Sequence, residues 1–363
     1  MSRATAHVDL GAISHNIQAL GALAPRSQFM LAVKSNAYGH GLHEVVRTGL
    51  DAGVSSFGVL ESTAGIELRK AGVDVPLFAW MHGQDTDFAA AAEERIDLGV
   101  QTFWQLEAIA ASGARVVPRV HLKIDTGLHR GGADQPRWAE FVTEALRLQA
   151  LGRLEVVAAW SHLSDTSHGA DLESTALFGA AVEEAKALGA EFELLHLGAS
   201  AAVIDLPEAH FDLVRVGIAA YGISPFGDRS AADLGLRPAM RLSAPVLDAR
   251  HGLASIAVGY GDGIQSDPDA GAYVIIDGFV APVIEVGVDE TVVALPESAG
   301  QVGADSVCIV FGDGAHGEAT AEQWAVWGET VGDEIVTGLT GRVRRDFSGA
   351  RPNPKAADRV PEQ

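Results

Sequence analysis

FMLAVKSNAYGHG, residues 29–41, carries the chain from five apolar residues into a single lysine, Lys34, and then into a polar, glycine-rich turn with Asn36, Tyr38 and His40. The run has the length and composition of a buried strand, so the strand delivers an amine to the rim of a core and surrounds it with hydrogen-bonding groups. A primary amine in that position can form a Schiff base with a carbonyl compound. The bland alternative is a solvated strand-to-helix turn. Lysine is scarce here, with five among 26 basic residues, which argues against filler at the end of an apolar strand.

Outward from this stretch the pattern repeats. Upstream, Leu10, Ile13, Ile17 and Leu20 recur at helical spacing. Downstream, seven further short apolar runs follow: SFGV (56–59), VPLFAWM (75–81), DLGV (97–100), RVHLKID (119–125), LEVVAAW (154–160), FELLHL (192–197) and LVRVGIA (213–219). Alanine-rich segments of helical spacing, such as WAEFVTEALRL and LFGAAVEEAKAL, separate them. This alternation predicts an α/β fold, an eight-stranded parallel βα (TIM-like) barrel, whose chemistry sits at the carboxyl ends of its strands. The residues read at that rim are Lys34, Glu61, Met81, Gln101, Lys123 with Asp125, His162, Ser200 and Arg215. Near Pro238 helical spacing gives way to β-type runs, YVIIDGFVAPVIEV, DSVCIVFG and DEIVTGL, with one helix marked by a Thr320/Gln323 capping box. The expected division is a barrel over residues 1–236, a β-rich C-terminal domain over 237–350 and a mobile tail over 351–363.

Composition narrows the function. With 363 residues a large core is affordable, and 47% hydrophobic content marks a globular chain. A formal charge of −22 repels phosphate backbones and anionic bilayers, so nucleic acid and membrane surfaces are poor partners and small ligands remain open. The one cysteine, Cys308, lies in an apolar run, which excludes a disulfide framework and a cysteine metal site. No secretory signal pattern or long apolar span is read, and a cytoplasmic protein is expected. His43-Glu44-Val45-Val46-Arg47 lacks the second histidine of a zinc helix and 262–269 lacks calcium-loop spacing, so no metal is implied.

VKSNAYGHG after an early strand resembles the pyridoxal-phosphate attachment motif of the alanine racemase family. ATAHVDLGAISHNIQAL, LKIDTGLHRGG, VRVGIAAYGISP and VGYGDG are similar to further segments of that family, in its order, over residues 5–347. The resemblance implies the same barrel and β-domain, pyridoxal 5'-phosphate as cofactor, and a homodimer. It implies Lys34 as the cofactor lysine and the base on the D-alanine face. Tyr260, reaching across from the other subunit, is implied as the base on the L-alanine face. Tyr38, Ser200 and the backbone of Gly217 and Ile218 are implied to hold the phosphate, and Arg215 to face the pyridine nitrogen. Arginine does not readily give up a proton, so the ring nitrogen stays unprotonated and the carbanion short-lived. His162 would link Arg215 to Tyr260 and lower the phenol pKa. Lys123 matches a lysine often carbamylated in the family, and Arg130, Val288 and Asp289 match its substrate-carboxylate region.

Three departures fall near these positions. Val288 stands for a methionine, Gly341 for a tyrosine that narrows the entrance, and Ala199 for an asparagine beside Ser200. They leave open a broad-specificity racemase, for example acting on serine, and a degenerate cofactor-binding protein without turnover. A basic amino-acid decarboxylase of the same fold is a further alternative, opposed by Arg215, because decarboxylation favours an acidic partner for the ring nitrogen.

Overall fold

The structure is a computed structural model that describes residues 4–300 and 302–349. The tail read as mobile, 351–363, lies outside the described residues. Contacts divide the chain into two units: Leu20–Lys34 with Gly53–Gly217 form one, and the remaining segments form the other.

The first unit is the barrel. After a first strand elsewhere, β1 (Thr5–Asp9), its strands are β2 (Gln28–Ala32), β3 (Ser56–Val59), β4 (Leu77–Ala79), β5 (Ile96–Val100), β6 (Arg119–Lys123), β7 (Glu155–Trp160), β8 (Leu194–His196) and β9 (Leu213–Val216). They pair in parallel in the order β8-β7-β6-β5-β4-β3-β2-β9. Asp212 N donates to Leu195 O at 3.0 Å and Arg215 N to Gly198 O at 3.0 Å, which closes the sheet into a nearly complete barrel. All eight expected runs are strands, although β4 keeps only three residues because its flanks bend away from the ladder. Met30, Phe78, Trp160 and Leu213 fill the interior, with Trp80 packed against them. Gly99 makes that layer possible: a Cβ there would stand 2.9 Å from Phe78 and 3.0 Å from Trp160.

The second unit is built on an eight-stranded, largely antiparallel sheet. Its later strands are β10 (Met240–Arg250), β11 (Leu253–Ile256), β12 (Tyr273–Ile276), β13 (Phe279–Val286), β14 (Thr291–Ala294), β15 (Val307–Phe311) and β16 (Arg344–Ser348). The amino-terminal strand β1 belongs here, antiparallel to β10 and parallel to β16. After it comes the expected helix, Leu10–Leu23, whose first turn is capped by Asp9 Oδ1 accepting from Gly11 N at 2.8 Å. Asp277 and Gly278, both at positive φ, turn β12 back into β13. Cys308 is buried in β15, and burial pushes its thiol pKa up.

One expectation is overturned. DEIVTGL is not a strand: its core forms the helix Gly332–Thr337, which follows the capped helix Ala321–Trp327. Only Ile335 and Val336 are buried there, too short a pattern to tell strand from helix. The structure favours the helix through Asp333 and Glu334 in its first turn, which complement the helix dipole, and through Gly338 N donating to Glu334 O at 2.8 Å.

Candidate active site

The carboxyl rim of the barrel is cationic in an acidic chain. Lys34 follows β2, whose Met30 is in register with Arg215 on β9, so the amine and the guanidinium arise from neighbouring strands. Lys123 ends β6, and His162 and Ser200 follow β7 and β8. Burial, then Arg215 and Arg130, push the Lys123 amine down to about 8. Its Nζ lies 4.8 Å from the Trp160 ring centroid and donates to Arg130 O at 3.4 Å. Arg130 itself is exposed on the loop after β6. The Asp125 carboxylate gathers that loop, accepting from Gly127 N at 2.9 Å, His129 N at 3.1 Å and His129 Nδ1 at 2.9 Å. Burial raises the Asp125 pKa, but these bonds outweigh it and hold the carboxyl below its usual range. His129, at φ 56, thus serves the bend that presents Arg130.

Arg215 is also buried at the rim. Nη2 donates to Ser161 O at 2.7 Å, to Leu197 O at 3.1 Å and to His162 Nδ1 at 3.1 Å. Nη1 donates to His196 Nδ1 at 3.1 Å. Burial pulls its pKa down to about 9, which leaves it protonated at neutral pH. His162 is held well below its ordinary value by burial, then by Arg215, Arg130, Lys123 and Lys34. Since Nδ1 accepts from the guanidinium, the His162 proton resides on Nε2. Ser200 is the first residue of the helix Ser200–Asp205 and not its cap, and its Oγ accepts from Gly217 N at 3.1 Å.

The turn after Lys34 departs from an ordinary loop. Ser35, Asn36, Ala37 and Tyr38 all have φ between 52° and 55°, one left-handed turn of non-glycine residues. Gly39 N to Ser35 O (2.9 Å), Gly41 N to Asn36 O (3.0 Å) and Leu42 N to Asn36 Oδ1 (2.8 Å) close it. Within the sheet-bearing unit, Arg345 Nε donates to Gly39 O at 3.2 Å, while its Nη atoms serve the carbonyls of Leu339, Thr340 and Val343. Tyr38 is buried against Tyr221, ring centroids 5.0 Å apart, and Ile218 opens the short helical turn that ends at Tyr221. His40 Nδ1 donates to Tyr38 O at 2.8 Å, and burial holds its pKa at about 4.

Tyr260 lies in this same unit on the turn Tyr260–Asp262 and is 46% exposed. Tyr260 N donates to Gly287 O and Gly261 N to Val288 O, each at 2.9 Å, so the predicted residues Tyr260, Val288 and Asp289 form one cluster. Arg342 ties it together: Nη2 donates to Asp289 Oδ1, and Nε stands 3.1 Å from Asp262 Oδ1. A Cβ on the neighbouring Gly341 would meet nothing within 4 Å, so open space stands where a side chain is missing. Arg342, Arg345, His121 and His196 were missed in the sequence reading. For the two histidines a signal existed, namely polar rings inside the apolar runs RVHLKID and FELLHL.

The donor set fits pyridoxal 5'-phosphate. Four cations whose charges all bear on His162 are mutually repulsive, and an anionic phosphate and carboxylate relieve that repulsion. A nearly closed parallel barrel with an amine at the end of its first strand, joined to an antiparallel β-sheet unit, defines the class of barrel enzymes that hold a cofactor aldehyde through lysine. The family model for the alanine racemase N-terminal domain matches residues 8–225, and that for the C-terminal domain matches residues 244–347. The alanine racemase of Beutenbergia cavernae is 39% identical, covering 96% of this chain and 98% of its own length. That of Mycolicibacterium smegmatis is 36% identical, covering 94% and 93%. Among solved structures, alanine racemase from D-cycloserine producing Streptomyces lavendulae aligns with a TM-score of 0.92 at 35% identity, covering 97% of this chain and 98% of that one. The chain belongs to the alanine racemase family, whose members are pyridoxal-phosphate-dependent isomerases. Among the described residues no helix is long and apolar enough to cross a membrane.

Proposed function

We propose that this chain interconverts L-alanine and D-alanine with two bases, Lys34 and Tyr260, acting as a cytoplasmic homodimer that supplies D-alanine. The observation that carries the reading is the setting of Arg215, a buried cation bound by carbonyls and imidazoles, with no carboxylate pairing with it among the described residues. Held by Lys34 until the substrate amine takes its place and frees the lysine amine, the cofactor would supply an electron-withdrawing ring conjugated to the substrate nitrogen, which would acidify the α-C–H bond. Arg215 stabilises an unprotonated ring nitrogen, because it donates hydrogen bonds without surrendering its proton at neutral pH. That disfavours decarboxylation. Ser200, Tyr38 and the backbone of Gly217 and Ile218 hold the phosphate, and Arg130 and the Val288–Asp289 loop orient the carboxylate.

The proton inventory closes only when both bases are reset. Lys34 takes or returns the α-proton on the D face and Tyr260 on the L face, so each turnover leaves one base with one proton more and the other with one fewer, and proton exchange with solvent restores the pair. His162 offers its Nε2–H to the Tyr260 oxygen and stabilises the phenolate. The exposure of Tyr260 on a turn outside the barrel unit supports its donation to a partner subunit. Incubating the purified protein and cofactor with L-alanine should generate D-alanine. Lys34→Ala should abolish the visible absorbance of the bound cofactor, and Tyr260→Phe should retain it while slowing turnover by roughly 10²- to 10⁴-fold. Unchanged racemisation by Tyr260→Phe refutes the two-base assignment. The space beside Gly341 supports a broader substrate range, which D-serine formation from L-serine measures.

A further inference from the structure

A line of polar side chains crosses the otherwise apolar barrel interior behind Arg215. His196 receives Arg215 Nη1 on Nδ1 at 3.1 Å; its Nε2 lies 2.9 Å from His121 Nδ1; and His121 Nε2 lies 3.3 Å from Asp97 Oδ2. Both rings are buried, with 0% and 2% of their surface exposed, respectively. Phe78 stacks on His121 at 4.5 Å and Trp160 on His196 at 5.7 Å, so aromatic faces sheathe both rings. Asp97 is the second residue of β5 and borders a cavity of about 270 Å³ at the amino-terminal end of the barrel, also lined by His121, Arg119 and Glu193. The line therefore runs from the catalytic rim to the opposite mouth.

Its direction is dictated at one end. Arginine carries five donors and no acceptor, so His196 Nδ1 must present a lone pair to it. The single proton of neutral His196 is then on Nε2 and is donated to His121 Nδ1, whose own proton is on Nε2 and is donated to the Asp97 carboxylate. Any reversal places two protons between one pair of nitrogens. Burial, then Arg215 and His121, hold His196 well below its ordinary pKa, in keeping with a neutral ring.

We infer that Asp97 is the counter-anion of Arg215, connected to it through two neutral imidazoles in fixed tautomers, and that Asp97, His121 and His196 are positioning residues for the rim. A carboxylate touching Arg215 directly would compete for the guanidinium donors that the ring nitrogen needs. Placing the charge two rings away stabilises the cation and sets its orientation while the rim stays free of a second acid. At the far end Arg119 Nε lies 3.2 Å from Asp97 Oδ1 and the same guanidinium is shared with Glu155 and Glu193 in a part-exposed ion cluster outside the line. Arg69 adds a further nearby positive charge. The effect at the rim rests on Arg215 facing the cofactor, whereas the tautomers do not.

Histidine 15N spectra of the cofactor-free protein test the tautomers independently of activity. At about pH 8 both His121 and His196 should carry their proton on Nε2. A proton on Nδ1 of either ring overturns the inference. Asp97→Asn keeps the size and an acceptor oxygen but removes the charge. In the holoenzyme it should lower the pH at which the bound cofactor's absorbance titrates, and reduce kcat roughly tenfold with KM within about twofold. Arg119→Gln removes the outer ion pair only, and should leave both within about twofold. If Arg119→Gln reproduces the Asp97→Asn phenotype, Asp97 acts only through the surface ion cluster and the inference fails.

Discussion

Gly39→Ala probes the turn that places the residues after Lys34. Gly39 sits at φ +79°, and a Cβ there would lie 2.3 Å from Val336 O and 3.2 Å from Val336 C. The left-handed conformation alone costs alanine roughly 1–2 kcal/mol. That term is tolerable, because Ser35, Asn36, Ala37 and Tyr38 already hold it beside Gly39. The collision is different, since the obstacle is backbone at the end of the helix Gly332–Thr337, also held by the bond from Gly338 N to Glu334 O at 2.8 Å. Restoring ordinary contact needs a shift near 1 Å, and overpacking of that kind costs roughly 1–3 kcal/mol more. The sum, about 2–5 kcal/mol, is a large fraction of a typical stability of about 5–15 kcal/mol. Gly53→Ala is the control: Gly53 has φ +86° but nothing within 4 Å of its Cβ, so only the conformational term applies. Equilibrium urea denaturation of the cofactor-free proteins measures both, with cofactor affinity as a second readout. Gly39→Ala should lose both stability and affinity. Equal destabilisation by the two substitutions would refute the collision argument.

Two further outcomes follow from the site. Lys123 has its folded pKa pushed down to about 8 from an unfolded 10.5, so between these values the unfolded chain binds more protons and stability rises with pH. In carbon-dioxide-free buffer, cofactor-free Lys123→Met should therefore exceed wild type in urea midpoint below pH 8 and lose that advantage as pH climbs to 10.5; a pH-independent difference would show that packing alone is responsible. Arg342→Leu cuts the tie between Asp289 and the Tyr260 turn, and displacement of a base on that scale should lower kcat by roughly 10- to 100-fold. Cofactor absorbance should be unchanged in Arg342→Leu, and loss of absorbance would place Arg342 in cofactor binding instead.

The barrel was legible because each strand is a short apolar run bounded by polar or glycine-rich turns, a signal carried by neighbouring residues. Lys34, Arg215 and Tyr260 were legible for a related reason, since each stands in a short motif whose context is local. DEIVTGL was not, because Ile335 and Val336 are adjacent β-branched residues that locally favour a strand, and the helix is held by its own backbone bonds and by the acidic first turn at Asp333 and Glu334.

The residue types and their order along the chain determined the barrel, the lysine at its first strand's end, and the second, sheet-bearing unit, because periodicity and turn chemistry are properties of adjacent residues. Tertiary structure alone decided that β1 pairs with β10 and β16, 232 or more residues distant, since strand pairing leaves no local trace. It alone turned Ser35–Tyr38 left-handed, through bonds and packing that outweigh the intrinsic preference. It also decided the partners of Arg215: His196 and His121 stand on separate strands, and only closure of the barrel brings their ring nitrogens within 2.9 Å and gives a buried guanidinium somewhere to donate.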